Sequence, residues 1–280
     1  MKRSRLLAFV HIEKAAGTSL IYLLRQHYLL RYMDVRPLHS VSNGTFSAAD
    51  LRGCLRVNPF LRAIGGHSVR PVSDLESVRP DISYVTLLRQ PLQRYVSQYR
   101  YWVRVLRKDW TFEQFLDHVP SHDFQTKKLA RSGTVSEAKR ILAERFLLVG
   151  VAEQFDHFLL ELQERLRPER FDPRYRRRNI TPNTESGAAE ILDRYDDRIR
   201  ANNAGDLELY RYVLEDLLPR QRATYTGDLD VRVARFHDNN GLATGVGARL
   251  LVDALCRKAY YEPATGLLRR ANGMPMKGSY

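Results

Sequence analysis

The sequence predicts an α/β fold, a central parallel sheet flanked by helices, from three stretches in which an apolar run passes through a turn into an amphipathic segment. The first is Leu6 to Gln26, where the run Leu6 to Ile12 breaks at Lys14-Ala15-Ala16-Gly17-Thr18-Ser19 before Leu20, Leu23, Leu24 and Tyr28 mark a helical face. The second is Asp81 to Leu88, which has the β-rich, apolar composition of a strand buried on both faces. It leads through Arg89-Gln90-Pro91 into a helix with Leu92, Val96 and Tyr99 on one side; Pro91 suits a first helical turn. The third is Phe146 to Val151, followed by a helix from Glu153 to Arg167.

Taken in order, residues 5 to 31 form the first strand–helix unit. Residues 34 to 62 read as mixed and loop-rich, with Pro37, Asn43-Gly44 and Asn58-Pro59 as turn signals. Residues 62 to 69, RAIGGHSV, predict a short strand ending in a turn, and residues 82 to 107 the second strand–helix unit. Trp110 to His118 and Ser136 to Arg145 read as helices. A basic, proline-containing loop follows at 171 to 187, then helices at 188 to 200 and 205 to 218. The division expected is a main domain over 1 to 224 and a C-terminal extension over 225 to 280, with an apolar helical segment at Ala248 to Tyr260.

A chain of 280 residues can bury a sizeable core. Lys and Arg number 45 against 32 Asp and Glu, a formal net charge of +13, spread along the chain rather than gathered in a tail. That balance suits an anionic partner: a nucleotide, an acidic glycan or a nucleic acid. No nucleic-acid recognition motif accompanies it, so nucleic acid is not expected as a partner, and much of the excess reads as solvated surface. The two cysteines, Cys54 and Cys256, supply neither a metal site nor a disulfide framework and are expected as reduced thiols. No metal is expected. The basic start MKRSR before an apolar run imitates a signal peptide, but Glu13 and Lys14 interrupt the run, which makes better sense as the first strand. No stretch reaches the roughly 20 apolar residues of a transmembrane segment.

The turn after the first strand is built to receive an anion. Small residues let backbone N–H groups and a helix N-terminus approach a ligand; Lys14 adds a point charge, and Thr18 and Ser19 add hydroxyl donors. In isolation it also fits an ordinary tight βα connection. It is not the G-x-x-x-x-G-K-[ST] pattern, because Lys14 precedes Gly17 by three positions, which disfavours a conventional P-loop kinase or ATPase. Arg89 falls at the end of the second strand, where open α/β sheets bind ligands. Ser97 lies two turns into the next helix, and the two can grip one phosphate together.

HIEKAAGTSL, His11 to Leu20, resembles the 5′-phosphosulfate loop of carbohydrate sulfotransferases that use 3′-phosphoadenylyl sulfate (PAPS). LLRQPLQRYVSQYRYW, Leu87 to Trp102, is similar to that family's 3′-phosphate motif, R-x-P-x-x-R-x-x-S-x-Y. RFLLVGVAEQFDHFLLEL, RRNITPN and the helix after Asn202-Asn203 resemble later segments of heparan sulfate and uronosyl 2-O-sulfotransferases, in matching order over about residues 5 to 220. The resemblance implies a P-loop-like three-layer α/β sulfotransferase fold and transfer of a sulfuryl group from PAPS to a carbohydrate hydroxyl, with an anionic acceptor in keeping with the charge. The alternatives are a lipid, small-molecule or tyrosine acceptor and, further off, a P-loop nucleotide kinase. It further implies that Lys14 neutralises charge on the departing oxygen, that Ala15, Ala16, Gly17, Thr18 and Ser19 hold the 5′ end, and that Arg89 and Ser97 hold the 3′-phosphate. Arg178, Asn179 and Thr181 would close over the nucleotide.

The acceptor hydroxyl needs a general base, and His67 in Gly65-Gly66-His67-Ser68 is the candidate, as a catalytic His of the 2-O-sulfotransferases sits in a corresponding segment. Glu13 is the runner-up; many relatives have Pro there, and a carboxylate beside an anion site should point away or pair with an Arg. His11 is expected to be a packed, hydrogen-bonded strand residue. Tyr99, Tyr101 and Trp102 read as core residues or as a sugar-stacking surface. The animal relatives are membrane-anchored Golgi enzymes that assemble as trimers; this chain is expected to be a soluble, cytoplasmic, bacterial form, with homo-oligomerisation left open by its different tail.

Overall fold

In the computed structural model, described for residues 5–40, 44–175, 185–240, 251, 254–255 and 257–275, five strands form one parallel sheet in the order β2-β3-β1-β4-β5. They are β1 (Leu6–Val10), β2 (Tyr32–Asp34), β3 (Ala63–Gly66), β4 (Ile82–Leu88) and β5 (Phe146–Val151). β1 is buried along its whole length because it is covered on both faces and paired on both edges. Leu6, Ala8 and Val10 enter one core and Leu7 and Phe9 the other, the two-residue alternation of a pleated strand.

Helices cover both faces. α1 (Gly17–Tyr28) and α7 (Phe155–Arg165) pack on one, through Leu20, Leu23, Leu24, Phe158, Leu159 and Leu162. α2 (Ala48–Val57), α6 (Val135–Arg145) and α9 (Ala204–Tyr212) pack on the other, through Leu51, Cys54, Ala138, Leu142 and Leu209. The chain therefore leaves β1 over one face but β3 and β4 over the opposite face. The carboxyl ends of strands at such a reversal are where open α/β sheets take ligands. The three-layer α/β fold expected from the sequence is what forms.

α3 (Pro91–Arg104) and α4 (Phe112–Leu116) stand outside the sheet layers and join α8 (Glu185–Asn202) in a third cluster around Tyr95, Phe115 and Ile199. α5 (Phe124–Leu129) is pinned from its N-terminal side by the buried carboxylate of Asp206. Asp206 accepts from Gln125 N at 3.0 Å and from Thr126 N and Oγ1 at 2.8 and 2.9 Å. The guanidinium of Arg94, fully buried, stacks over the Phe124 ring at 4.8 Å.

Several elements differ from the sequence expectation. The stretch 34 to 62 holds α2 and follows the short edge strand β2, and α5 falls where no helix was read. The helix expected at 205 to 218 is α9, a π-helical stretch Val213–Leu217 and α10 (Leu218–Arg222). Most of the Ala248 to Tyr260 segment, and Cys256, lie outside the described residues. Beyond 224, α11 (Leu229–Asn240) buries Leu229, Val233 and Phe236 in the α1/α7 core, and a helix at Glu262–Ala271 lies against α2. Cys54 is a buried free thiol that burial pushes up to about 12.

Replacing Asp206 by Ala strands three donors at α5 and leaves the Arg94 guanidinium without its nearest opposing charge. The expected loss of unfolding free energy is about 3 kcal/mol or more, measured by urea denaturation.

Candidate functional site at the carboxyl edge of the sheet

Val10 is in register with Gly66 on one side and Thr86 on the other, so the residues that follow all three strands emerge together. Thr86 Oγ1 donates to Val10 O at 2.8 Å and ties β1 to β4 just before the turn. Beyond this line lie His11 to Ala16 after β1, His67 after β3 and Arg89 after β4.

The turn into α1 takes left-handed backbone at Lys14, φ 67°, and at Ala16, φ 59°, two non-glycine residues in a conformation L-residues avoid. Ala16 occupies the N-cap position, and among the described residues no side chain caps α1 and no acidic residue stands in its first turn. The turn itself engages two N–H groups, Ala15 to Ile12 O at 3.4 Å and Ser19 to Ala16 O at 3.1 Å; those of Gly17 and Thr18 stand at the positive end of the dipole of this 12-residue helix and suit an exogenous acceptor. Ala15 and Gly17 are buried, Ser19 is half-buried and Thr18 is exposed in the first turn. Gly17 is required by a close approach: a Cβ there would lie 2.0 Å from His11 Cδ2 and 2.1 Å from its Nε2.

Lys14 and Arg89 meet directly. Arg89 Nη1 donates to Lys14 O at 3.1 Å, while the Lys14 ammonium lies 4.5 Å from the centroid of the Tyr101 ring. Burial, and then the Arg89 charge, pull the Lys14 ammonium below its ordinary range. Gln125 of α5 holds the Arg89 backbone from both sides, accepting from its N–H and donating to its carbonyl, each at 2.9 Å. Ser97, half-buried on α3, precedes Tyr101 by one helical turn and so shares its face.

On the β3 side, His67 Nδ1 lies 3.1 Å from Glu13 Oε1. The His67 ring stacks on His11 with centroids 4.1 Å apart. Lys128 of α5, only 3% exposed, reaches Glu13 Oε1 and Oε2 at 3.2 and 3.3 Å and donates to the His67 carbonyl at 2.5 Å. Burial opposes the Glu13 carboxylate, but the His67 hydrogen bond and the Lys128 charge outweigh it and hold Glu13 at about 2. Burial, and then His67, bring His11 down to about 3.

The structure thus gathers Lys14, Ala15, Ala16, Gly17, Thr18, Ser19, Arg89 and His67 at one edge, with Ser97 on the helix that overlooks it. Arg178, Asn179 and Thr181 lie outside the described residues. Of the two alternatives for Glu13, pairing with an Arg is not the one formed: it pairs with Lys128 and His67. His11 is packed, but its Nδ1 is buried without a hydrogen-bond partner. Tyr99 and Trp102 belong to the α3/α4 cluster, whereas Tyr101 faces the site. Lys128 and Gln125 were not singled out in the sequence; no local pattern distinguishes them from residues of a solvated loop.

No protein-family model matches this chain, and no curated protein matches it either. Among the described residues, no helix is long and apolar enough to cross a membrane.

His11 makes stability fall with acid. Below its ordinary 6.5 the unfolded chain binds a proton at this ring, and the folded chain does not until about pH 3. Stability is therefore lost progressively as pH falls across that window, by about 1.4 kcal/mol per pH unit from this group. Urea titrations at successive pH values should show this slope, and His11→Phe should lack that share of it.

Proposed function

We propose that this protein is a PAPS-dependent O-sulfotransferase acting on a carbohydrate hydroxyl and releasing adenosine 3′,5′-bisphosphate. The observation that carries the reading is the meeting of Lys14, Arg89 and His67 around the uncapped N-terminus of α1. Two cationic groups and the Gly17 and Thr18 N–H groups at the helix N-terminus suit a nucleotide with anionic groups at both ends, and an imidazole at the neighbouring strand end suits its acceptor. The order of motifs along the chain points to the same class.

The residues divide the work by charge. The N–H groups of Ala16, Gly17 and Thr18, with the Thr18 and Ser19 hydroxyls, would receive the phosphosulfate, the Ala15 N–H being engaged by Ile12 O at 3.4 Å. Arg89 and Ser97 would take the 3′-phosphate, the group that separates PAPS from ATP, and Arg178, Asn179 and Thr181 would cover the nucleotide. In the reaction the acceptor oxygen forms a bond to sulfur as the bond from sulfur to the bridging oxygen breaks. The bridging oxygen leaves with that electron pair on adenosine 3′,5′-bisphosphate, where Lys14 neutralises it. His67 takes the acceptor proton. As in phosphoryl transfer, the protein's part is mainly positioning and charge stabilisation. The formal net charge of +13 agrees with an anionic nucleotide and favours an acidic glycan as acceptor.

Labelled PAPS presented with a panel of neutral, uronic-acid and sulfated oligosaccharides tests the reading. Label should move to a carbohydrate in the wild type. Lys14→Ala should lower kcat by about 10²–10³-fold, the scale for losing one preorganised charge partner. His67→Ala should lower it by about 10²–10⁴-fold with PAPS affinity retained. Arg89→Ala should instead weaken nucleotide affinity by about tenfold or more. Full turnover in Lys14→Ala would contradict the assignment.

A further inference from the structure

We propose that Glu13, anchored by Lys128, is the positioning residue of His67: it accepts from Nδ1–H and so leaves Nε2 to take the acceptor proton. The role of His67 as base rests on the functional reading above; the tautomer assigned to its ring does not.

The arrangement is built by three separate elements. Glu13 comes from the turn after β1, His67 from the end of β3 and Lys128 from α5. The pairing of Val10 with Gly66 sets the first two side by side, and the contact at 3.1 Å falls on Nδ1. A neutral imidazole carries one N–H, and a carboxylate can only accept. With Glu13 held ionised by Lys128, the proton of the neutral ring belongs on Nδ1 and the lone pair on Nε2. A carboxylate so placed also stabilises the imidazolium once the proton has been transferred.

Lys128 does more than neutralise. Its ammonium has three donors, and the two carboxylate oxygens of Glu13 and the carbonyl of His67 take them, at 3.2, 3.3 and 2.5 Å. One buried group thereby fixes both the carboxylate and the backbone that carries the ring. One face of the ring is covered by His11 at 4.1 Å. The other charged and titratable groups bearing on the pair are Lys14 from the β1 turn, His11 from the end of β1, Lys128 from α5, Arg94 from α3 and Arg70 beyond β3. His11 stays neutral through the working range, so it adds no second charge beside His67 when the latter is protonated. Glu13 as the base itself is disfavoured on the same geometry: both its oxygens are engaged, and it is held at about 2.

The decisive measurement uses the wild-type protein labelled with ¹⁵N-histidine. Long-range ¹H–¹⁵N correlation, with His67 assigned by comparison with His67→Gln, reports which nitrogen carries the proton in the neutral ring. Protonated Nδ1 with bare Nε2 is expected; protonated Nε2 overturns the proposal whether or not sulfuryl transfer is found. If transfer is found, Glu13→Gln should lower kcat by about 10–100-fold, with KM for PAPS little changed and partial rescue in Glu13→Asp. The double variant Glu13→Gln/Lys128→Met leaves no single buried charge and should show the same kcat loss in a folded protein. Unchanged kcat in both would overturn the proposal. So would a large loss at Glu13 with His67→Ala fully active, which would make Glu13 the base.

Discussion

β1 is hydrogen-bonded along both edges, to β3 and to β4, and everything functional in this molecule hangs from that double pairing. A strand buried on both faces must be apolar throughout, so it can carry no chemistry itself. Its chemistry is displaced to the residues just beyond it, and the parallel register brings the ends of its two neighbours to the same level. Lys14, His67 and Arg89 are far apart in the chain and adjacent in space for this one reason. The chain leaves β1 and its neighbours in opposite directions, the topological reversal at which open α/β sheets take ligands.

A second, smaller element converts this alignment into fixed geometry. α5 is only six residues long, too short to be stable by itself. Asp206 from α9 secures its first turn, and α5 then holds the site on both sides: Gln125 grips the backbone of Arg89, and Lys128 grips Glu13 and His67. The side proposed to bind the nucleotide and the side proposed to take the acceptor proton are therefore supported by one helix, through residues three positions apart. Burying Lys128 beside Glu13 costs desolvation that the pair barely offsets, so the pair is better explained by the precision it gives His67 than by stability.

β1, β4 and β5 were legible because a doubly buried parallel strand is an uninterrupted apolar run, and the turn at Lys14 to Ser19 because a run of small residues around Gly17 at a strand end marks a tight βα connection. β2 was not legible: three residues ending on Asp34 give no period to read. α2 carried a signal that could have been used, since Ser47 and Asp50 form a capping box, but the turn residues around it argued the other way. Of the site, Lys14, His67 and Arg89 were visible at strand ends. Lys128 was not, because Lys127 beside it is exposed while Lys128 is 3% exposed, and residue type does not distinguish them. Its partner Glu13 is 115 residues away, a contact that only the tertiary fold creates. Glu13 itself looked like an intrusion near an anion site; the fold turns it toward His67.

The most direct test of the account is calorimetric titration of the purified protein with adenosine 3′,5′-bisphosphate, with 5′-AMP and ATP as comparisons. The account predicts binding that depends on the 3′-phosphate, so that the bisphosphate binds and 5′-AMP and ATP bind far more weakly. Equal or tighter binding of ATP would contradict it, and would return the turn at Lys14 to the wider class of nucleotide-phosphate sites.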